Sequence, residues 1–263
     1  MLKAARKIRR GKTVRSVAAL ILREMETTFG RSPGGYLWAV AEPVAAIALL
    51  SVAFSIAFRA PALGSSFALF YATGYLPFTM ALDTANKVAN AIRFSRPLLT
   101  YPAVTFLDAL LARFVLNLLT HALVFWLVIA GIVAGLGADI ALNLPRVLSA
   151  MAMASVLGLG VGALNCLLFN IWSLWERIWQ IVTRPLFIVS GVFFLPEDIP
   201  LPYSTWVALN PVVHVVGEMR RGLYAGYEAR GVSHVYVYGL GLGCLALGLV
   251  LLRRHQRAIL GEG

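Results

Sequence analysis

Long apolar runs dominate this chain of 263 residues and restrict what it can fold into. A helix that crosses a hydrocarbon core of about 30 Å needs about 20 mostly apolar residues. Six runs come close to that length, and only 13% of the residues are charged. We place the predicted spans at 36–58, 67–87, 106–136, 147–170, 178–195 and 232–252. The sequence therefore predicts an all-α integral membrane protein with six transmembrane helices.

The basic residues are concentrated at the amino terminus. Nine of the 23 Lys and Arg lie within the first 31 residues, and the formal net charge is +11. A basic segment beside the first span is typical of a cytoplasmic tail that faces anionic membrane lipid, so we expect no nucleic-acid partner. Arg93, Arg96 and the cations after residue 252 fall on the same side if the six spans are correct. Both termini are thus predicted to be cytoplasmic.

Residues 14–29 are predicted to form an amphipathic helix in the membrane interface. Apolar side chains recur there at helical spacing, and most charged residues lie on other faces. The Gly- and Pro-rich stretch that follows turns the chain into the bilayer. The predicted organisation is a basic tail with this interface helix (1–35), a transmembrane domain (36–252) and a short cytoplasmic tail (253–263).

Residues 196–227 stay apolar after the fifth predicted span without being long enough to cross again. Prolines divide them into pieces well short of the ~20 residues that a span needs. Irregular backbone is tolerated at membrane depth only where it is buried in protein or lines a water-filled cavity. We therefore predict re-entrant segments beside a pathway. The alternative is a loop with amphipathic turns that lies on the surface.

Ionisable residues within the predicted spans are candidates for function, because charge inside a bilayer is energetically costly. Glu42, Asp83, Arg113 and Arg184 all fall within about 11 Å of the cytoplasmic surface, at about 1.5 Å of helix per residue. Asp83 and Lys87 also have the i, i+4 spacing of a helical ion pair. The four residues form either a belt that pairs helices around an entrance and meets an anionic substrate, or side chains that extend to the nearby headgroups.

Aromatic residues in and near the spans are further candidates, although membrane-interface belts and packing use the same side chains. Trp172, Trp175 and Trp179 share one helical face and suit either a Trp belt or a platform for sugar rings. The full set of channel candidates is Glu42, Tyr71, Tyr75, Asp83, Trp172, Trp175, Trp179, Arg184, Phe187, Phe193 and Phe194.

Catalytic and metal-binding patterns are missing from the sequence. The four histidines are scattered, and there is no phosphate-binding G-x-x-x-x-G-K-[ST] sequence. We therefore expect no catalytic residue, metal or cofactor in this chain, and any ATP hydrolysis would belong to a separate subunit. A membrane-bound lipid-modifying enzyme is the alternative, but it would need convergent polar residues rather than single charges on different spans.

The connection between the second and third spans, residues 93–103, is the most informative cytoplasmic piece. Its two arginines and two prolines surround the apolar side chains of Leu98, Leu99 and Tyr101. This composition predicts a short rigid element that presents apolar groups to a partner protein. An ordinary interfacial turn is the alternative. The candidate coupling residues are Arg93, Phe94, Arg96, Pro97, Leu98, Leu99 and Tyr101.

The order of these motifs resembles a known family over nearly the whole chain. The motifs are Gly35-Tyr36-Leu37-Trp38, Glu42-Pro43, Arg96-Pro97-Leu98-Leu99-Thr100-Tyr101-Pro102, Ser190-Gly191-Val192-Phe193-Phe194, Asn210-Pro211 and Glu218-Met219-Arg220-Arg221-Gly222. They are similar to the permease subunit of type 2 ABC exporters of bacterial polysaccharides. The resemblance is to the capsular polysaccharide export (KpsM-like) family, with O-antigen export permeases next.

The resemblance implies a homodimer in the bacterial inner membrane, bound to two cytoplasmic ATP-binding subunits that hold ATP and Mg. Residues 93–103 would be the coupling helix, and residues 196–227 would be re-entrant pieces that close the periplasmic end of the channel. The implied substrate is a lipid-linked polysaccharide that passes to a periplasmic adaptor and an outer-membrane export protein. Exporters of O-antigen, teichoic acid, lipid or drug are the alternative. The implied gate residues are Pro196, Asn210, Pro211, Glu218, Arg220 and Arg221.

Overall fold

The computed structural model describes the backbone of residues 2–29, 34–99 and 104–260, and within these ranges every regular element is helical. The helices are α1 (Leu2–Phe29), α2 (Gly35–Ala57), α3 (Phe67–Ala89), α4 (Ala91–Leu99), α5 (Phe106–Leu136), α6 (Leu144–Ile171), α7 (Ser173–Val189), α8 (Tyr203–Val207), α9 (Pro211–Leu223) and α10 (His234–Leu260). A short 3₁₀ turn, Pro196–Asp198, lies between α7 and α8. The all-helical prediction is confirmed for this part of the chain.

Four of the described helices are long and apolar enough to cross a membrane. They contain the segments Leu37–Ala57, Phe106–Leu136, Leu144–Ile171 and His234–His255. The second predicted span corresponds to α3, which is less apolar because it includes Asp83 and Lys87. The fifth corresponds to α7, which has only 17 residues.

The bounds of α7 correct the prediction of a span at 178–195. The helix begins at Ser173 and ends at Val189, and a turn follows in which Gly191 has a φ of 76°. A positive φ is easily adopted by glycine and ends the helix there. The apolar residues up to Leu195 therefore belong to the connection that follows α7.

The core is formed mainly by buried residues of α3, α5, α6 and α9. The most extensive packing is between α6 and its neighbours α3 and α10. Glycines allow the two closest approaches. A Cβ atom added to Gly160 would lie 1.9 Å from the backbone oxygen of Gly241 on α10, and one added to Gly158 would lie 2.6 Å from that of Ala81 on α3. Small residues at such crossings let helix backbones approach closely.

Helix α9 has 13 residues and is buried within the bundle. The Asn210 side chain accepts a hydrogen bond from the amide of Val212 at 3.0 Å, and Pro211 occupies the first helical turn. Both are favoured at helix starts. The other end of α9 is fixed to the α5–α6 connection, because the amide of Asn143 donates to the oxygen of Gly222 at 2.8 Å. We refer to this end of the bundle as the α9 end, and to the opposite end as the α4 end.

We predict that Gly160→Val destabilises the protein, because the added side chain would overlap the backbone of α10. Overpacking of a well-packed contact typically costs about 1–3 kcal/mol. The matched control is Gly243→Val, since nothing lies within 4 Å of a Cβ atom at that position. Thermal unfolding of the purified variants in detergent should show a lower midpoint for Gly160→Val than for Gly243→Val. Equal midpoints would contradict the proposed role of Gly160.

Candidate functional site

Helix α4 is a short element that is anchored on one side and open on the other. Ile92 and Ser95 are buried, whereas Arg96 and Pro97 are exposed. The helix packs mainly against α5, with smaller contacts to α3 and α6. It therefore presents a partly charged surface at the α4 end of the bundle.

The apolar knob predicted from the sequence is less prominent in the structure. Leu98 and Leu99 are half-buried, and Leu99 packs against an apolar cluster that includes Leu252. These leucines are less exposed than predicted because α4 packs against the apolar side chains of the neighbouring helices. Tyr101, the third member of the predicted knob, lies outside the described residues.

Arg93 connects α4 to the junction of α6 and α7. One guanidinium nitrogen donates to the backbone oxygen of Phe169, and the other donates to the carboxylate of Glu176 at 2.5 Å. The guanidinium carbon also lies 5.8 Å from the centroid of the Phe169 ring. Since about a third of the Arg93 and Glu176 side chains is exposed, the pair adds little stability. Its importance is positional, because it joins α4 to the first turn of α7.

Phe94 connects α4 to α1 and α5. The guanidinium carbon of Arg113, on α5, lies 4.0 Å from the centroid of the Phe94 ring, and that of Arg23, on α1, lies at 5.9 Å. Cations are attracted to the face of an aromatic ring at such distances. The ring therefore lies where α1, α4 and α5 meet.

A buried ion pair completes the contact between α1 and α5. The Nε of Arg113 is 3.1 Å from Oε1 of Glu24, and both side chains are less than a tenth exposed. Burial raises the pKa of Glu24, and the charge of Arg113 offsets part of that rise. The sequence predicted an interface helix at residues 14–29 with most of its charged residues off the apolar face. Glu24 departs from that expectation because Arg113 provides a partner inside the structure.

Three of the four predicted intramembrane charges line one cavity. Glu42, Asp83 and Arg113 face a space of about 320 Å³ between α2, α3 and α5. The carboxylate of Asp83 lies 3.4 Å from Nε2 of His121. The expected i, i+4 pair with Lys87 is therefore corrected, since the ionic contact of Asp83 is to α5. We call this space the polar cleft.

Helix α7 lies at the edge of the bundle and has no buried residue. Arg184, the fourth predicted charge, is exposed on it and does not line the polar cleft. Ile181 and Ile188 expose 68% and 60% of their surface. This helix therefore presents an apolar surface with two exposed cations, Arg177 and Arg184, that the described part of the chain leaves uncovered.

The three candidate tryptophans lie around the start of α7 and attach it to other helices. The indole N–H of Trp175 donates to Asn165 at 2.9 Å, and that of Trp179 donates to Asn86 at 2.8 Å. Trp172 precedes the helix, and its ring stacks on that of Trp175 with the centroids 5.9 Å apart. These contacts fix α7 to α6 and α3, which favours an anchoring role over a free platform for sugar rings.

Most of the other aromatic candidates form one cluster toward the α9 end. The ring of Phe193 lies 5.0 Å from that of Phe187 and 6.3 Å from that of Tyr71. Phe187 also contacts Tyr75 at 6.0 Å. Sequence reasoning missed several members of the cluster, among them the two that contact Phe193 and Phe187 directly. They are Phe54, 5.6 Å from Phe193, and Phe78, 5.1 Å from Phe187.

Arg220 is the most buried charged residue of the predicted gate, with 0% of its surface exposed. Its guanidinium donates to the backbone oxygens of Phe194 at 3.0 Å and Val192 at 3.2 Å. The guanidinium carbon lies 4.3 Å from the centroid of the Phe70 ring. Arginine is not deprotonated in proteins, so the side chain is charged. The resemblance implies that Arg220 belongs to the outer gate, and the structure places its side chain inside the bundle, where it holds the connection between α7 and α8.

The other gate candidates also make contacts within the chain. Glu218 is buried and lies 3.0 Å from Arg221 and 3.5 Å from His234. The sequence could not tell whether Glu218 and Arg221 pair with each other, and the structure shows that they do. Asn210 donates to the hydroxyl of Ser190 at 2.9 Å, so it joins the end of α7 to the start of α9. Pro196 begins the 3₁₀ turn.

Comparison with known proteins adds an independent line of evidence. A family model described as "ABC-2 type transporter" matches residues 15–224. The "Polysialic acid transport protein KpsM" of Escherichia coli is 31% identical over 246 residues, which cover 93% of this chain and 95% of that protein. "Capsule polysaccharide export inner-membrane protein CtrC" of Neisseria meningitidis is 25% identical over 93% of this chain and 92% of its own length. The corresponding protein BexB of Haemophilus influenzae is 23% identical, with the same coverage.

We predict that Arg220→Met lowers stability by about 2–5 kcal/mol, because two buried carbonyl oxygens lose their donor. Arg220→Lys should be intermediate, since an ammonium group keeps the charge but not the planar fork that serves both carbonyls. Thermal unfolding in detergent measures the effect. Arg230→Met, at an exposed position, is the control and should match the parent protein. An Arg220→Met variant that unfolds at the parental temperature would refute the structural role.

Proposed function

The chain belongs to the ABC-2 type transporter family, and we propose that it is the permease subunit of an ATP-driven exporter of lipid-linked capsular polysaccharide. The observation that carries the proposal is similarity over 93% of the chain to inner-membrane proteins named for polysialic acid transport and capsule polysaccharide export. The alternative is an exporter of the same architecture that carries O-antigen, teichoic acid, a lipid or a drug. The names of these relatives favour capsule.

The chain is a multi-pass inner-membrane protein, and we propose that α3 and α7 cross the membrane with the four more apolar helices. Alternating helix directions then place α9 at the periplasmic end and α4 at the cytoplasmic end. The basic amino terminus supports cytoplasmic termini. The 13 residues of α9 are too few to span a bilayer, which supports a re-entrant segment. A segment that enters the membrane without crossing it must be enclosed by protein or line a cavity. Most residues of α9 are buried within the bundle, which agrees with this requirement.

The proposed complex is a homodimer with two ATP-binding subunits that hold ATP and Mg at the cytoplasmic end. Two observations support the dimer: α7 has no buried residue, and only 6% of the span in α2 is buried within the chain. A second copy would cover these apolar faces. The glycan would then pass to a periplasmic adaptor and an outer-membrane export protein. A purified complex that holds a single copy of this chain would refute the dimer.

We propose that α4 transmits the movement of the ATP-binding subunits along two routes. Phe94 leads to α1 and α5, through Arg113. Arg93 leads to the start of α7, through Glu176. Movement of α7 against α2 would then open a path between the two protomers. The aromatic cluster around Phe193 lies where α2, α3 and the end of α7 meet, so the same movement would rearrange it.

Deletion of the gene for the cognate ATP-binding subunit should abolish surface polysaccharide, because this chain has no phosphate-binding sequence of its own. Capsule on the cell surface and this protein in the membrane fraction are the two measurements. The protein should remain inserted, and supplying the ATP-binding subunit from a plasmid should restore the capsule. Export at the normal level in the deletion strain would refute the proposed function.

Reversal of either charge in the Arg93–Glu176 pair should lower export several-fold, because two like charges would then separate α4 from α7. Arg93→Glu combined with Glu176→Arg should restore most of the export. The bond to the Phe169 oxygen is not recovered, so the rescue should be partial. ATP hydrolysis by the purified complex should persist in the single variants. The control is Arg177→Glu, the same reversal at an exposed neighbouring position, and failure of the double variant to improve on both single variants would refute this route.

A further inference from the structure

Most residues that line the polar cleft between α2, α3 and α5 have no part in the proposed coupling routes, and Arg113 is shared by both. The walls of the cleft carry carboxylates from Glu42 and Asp83, an ammonium group from Lys87, and the side chains of Asn117 and His121. At about 320 Å³, it falls at the lower end of the range for small-ligand sites, ~300–1,000 Å³. It can therefore hold one small polar group.

The position of the cleft makes its polarity informative. Two of its walls, α2 and α5, are candidate membrane spans. Glu42 is the eighth residue of α2, which places it about 10 Å from the start of that helix at about 1.5 Å per residue. Lipid tails cannot satisfy carboxylates and amides at such a depth. Water or a polar ligand must therefore occupy the cleft when the protein is in a membrane.

Several groups in the cleft have hydrogen-bonding capacity left. Among the described residues, the side chain of Glu42 makes no ion pair and no hydrogen bond. The side chain of Asp83 is half exposed and contacts only His121 among ionisable groups. Because an exposed carboxylate has two acceptor oxygens, these two residues offer acceptors to a ligand that can donate.

The mixture of charges narrows the class of ligand. An anion would face the carboxylates of Glu42 and Asp83, and a simple cation would face Lys87 and Arg113. The described His, Cys, Asp and Glu residues form no group of three or more that could hold a metal ion. A hydroxyl group both donates and accepts, so a group with several hydroxyls fits acceptors and donors that are spread over three helices.

Aromatic side chains in the cleft also favour a ligand of this kind. Trp38 and Tyr75 also line the cleft, and the exposed fraction of Trp38 is 64%. Aromatic rings offer an apolar face with a polar edge, which suits a ligand that has C–H and O–H groups on one small frame. We propose that the polar cleft binds the hydroxyl-rich headgroup of an amphiphile, a sugar or a glycerol, whose acyl chains stay in the membrane.

Two sources supply this chemistry: a sugar of a glycolipid, including the exported one, and the glycerol headgroup of a phospholipid. Native mass spectrometry can separate them if the chain is purified in a detergent without hydroxyl groups, such as lauryldimethylamine oxide. The probes are dodecyl maltoside, with a sugar head, dioleoylphosphatidylglycerol, and dioleoylphosphatidylethanol, which carries the same phosphate charge but no head-group hydroxyl. One or both of the first two should bind saturably and about tenfold more tightly than phosphatidylethanol, as expected for one or two hydrogen bonds to charged groups. Equal binding of all three would overturn the proposal.

Variants test whether the cleft is the site. Glu42→Ala and Asp83→Ala should each weaken binding of the preferred probe by about tenfold. Asp139→Ala is the matched control, because it removes an exposed carboxylate from the α5–α6 connection and should leave binding unchanged. Glu42→Gln and Asp83→Asn replace the alanine variants if thermal unfolding shows that those do not fold. Unchanged binding in the variants at both positions would refute the site.

The inference does not require the proposed export function. Binding is measured on the purified chain without ATP-binding subunits, so a failure to bind would leave the capsule experiment untouched. Conversely, normal export after loss of the ATP-binding subunit would leave a binding result in place. The two experiments therefore fail independently.

Discussion

The burial of one arginine determines how the α9 end of the bundle is assembled. Moving a guanidinium from water into protein is costly unless it gains compensating contacts. Arg220 gains two backbone oxygens as acceptors and the face of Phe70, while its Nε has no hydrogen-bond partner. The oxygens belong to the connection after α7, the ring belongs to α3, and Arg220 itself belongs to α9. The cost of burying the charge therefore forces three separate parts of the chain to meet. The position of Phe193 in the aromatic cluster follows, because it lies between the two bonded carbonyls.

A buried arginine also holds helices together at the α4 end, but there it is paired with a carboxylate. Arg113 also lies over a phenylalanine ring, but a carboxylate from α1 accompanies it. Glu24 and Arg113 hold α1 against α5, and the ring brings α4 into the same contact. The presence of a buried ion pair is weak evidence that it stabilises the protein. Removal of one partner, however, lowers the free energy of unfolding by several kcal/mol, because the other charge stays buried without a partner. The arrangement therefore fixes the relative position of α1, α4 and α5, as the proposed transmission of movement through α4 requires.

For this chain, the sequence predicts the positions of helices more reliably than the partners of individual side chains. The span at 106–136 agrees with α5 at both ends, and Asn210-Pro211 correctly marks the start of α9, because hydrophobic length and helix-start residues are local signals. Gly191 ends α7 earlier than the apolar run suggests, since hydropathy does not register a turn. The burial of Glu24 and Arg220 was not foreseen, because a charge in a sequence carries no information about its partner. The only available signal was that Arg220 stands within the otherwise largely apolar residues of α9.

Some helices of this chain are tightly packed, whereas α2 and α7 have few or no buried residues. This difference indicates which parts are rigid and which can move. Helices α3, α5, α6 and α9 share the core, and α10 packs closely against α6, where the backbones come together at Gly160. Helices α2 and α7 have little or no buried surface and touch these packed helices through a few specific contacts. Elements with few buried apolar contacts open at low free-energy cost. Movement should therefore be confined to the two helices that flank the aromatic cluster, while the polar cleft, with two walls on α3 and α5 and one on α2, would change its width as α2 moves.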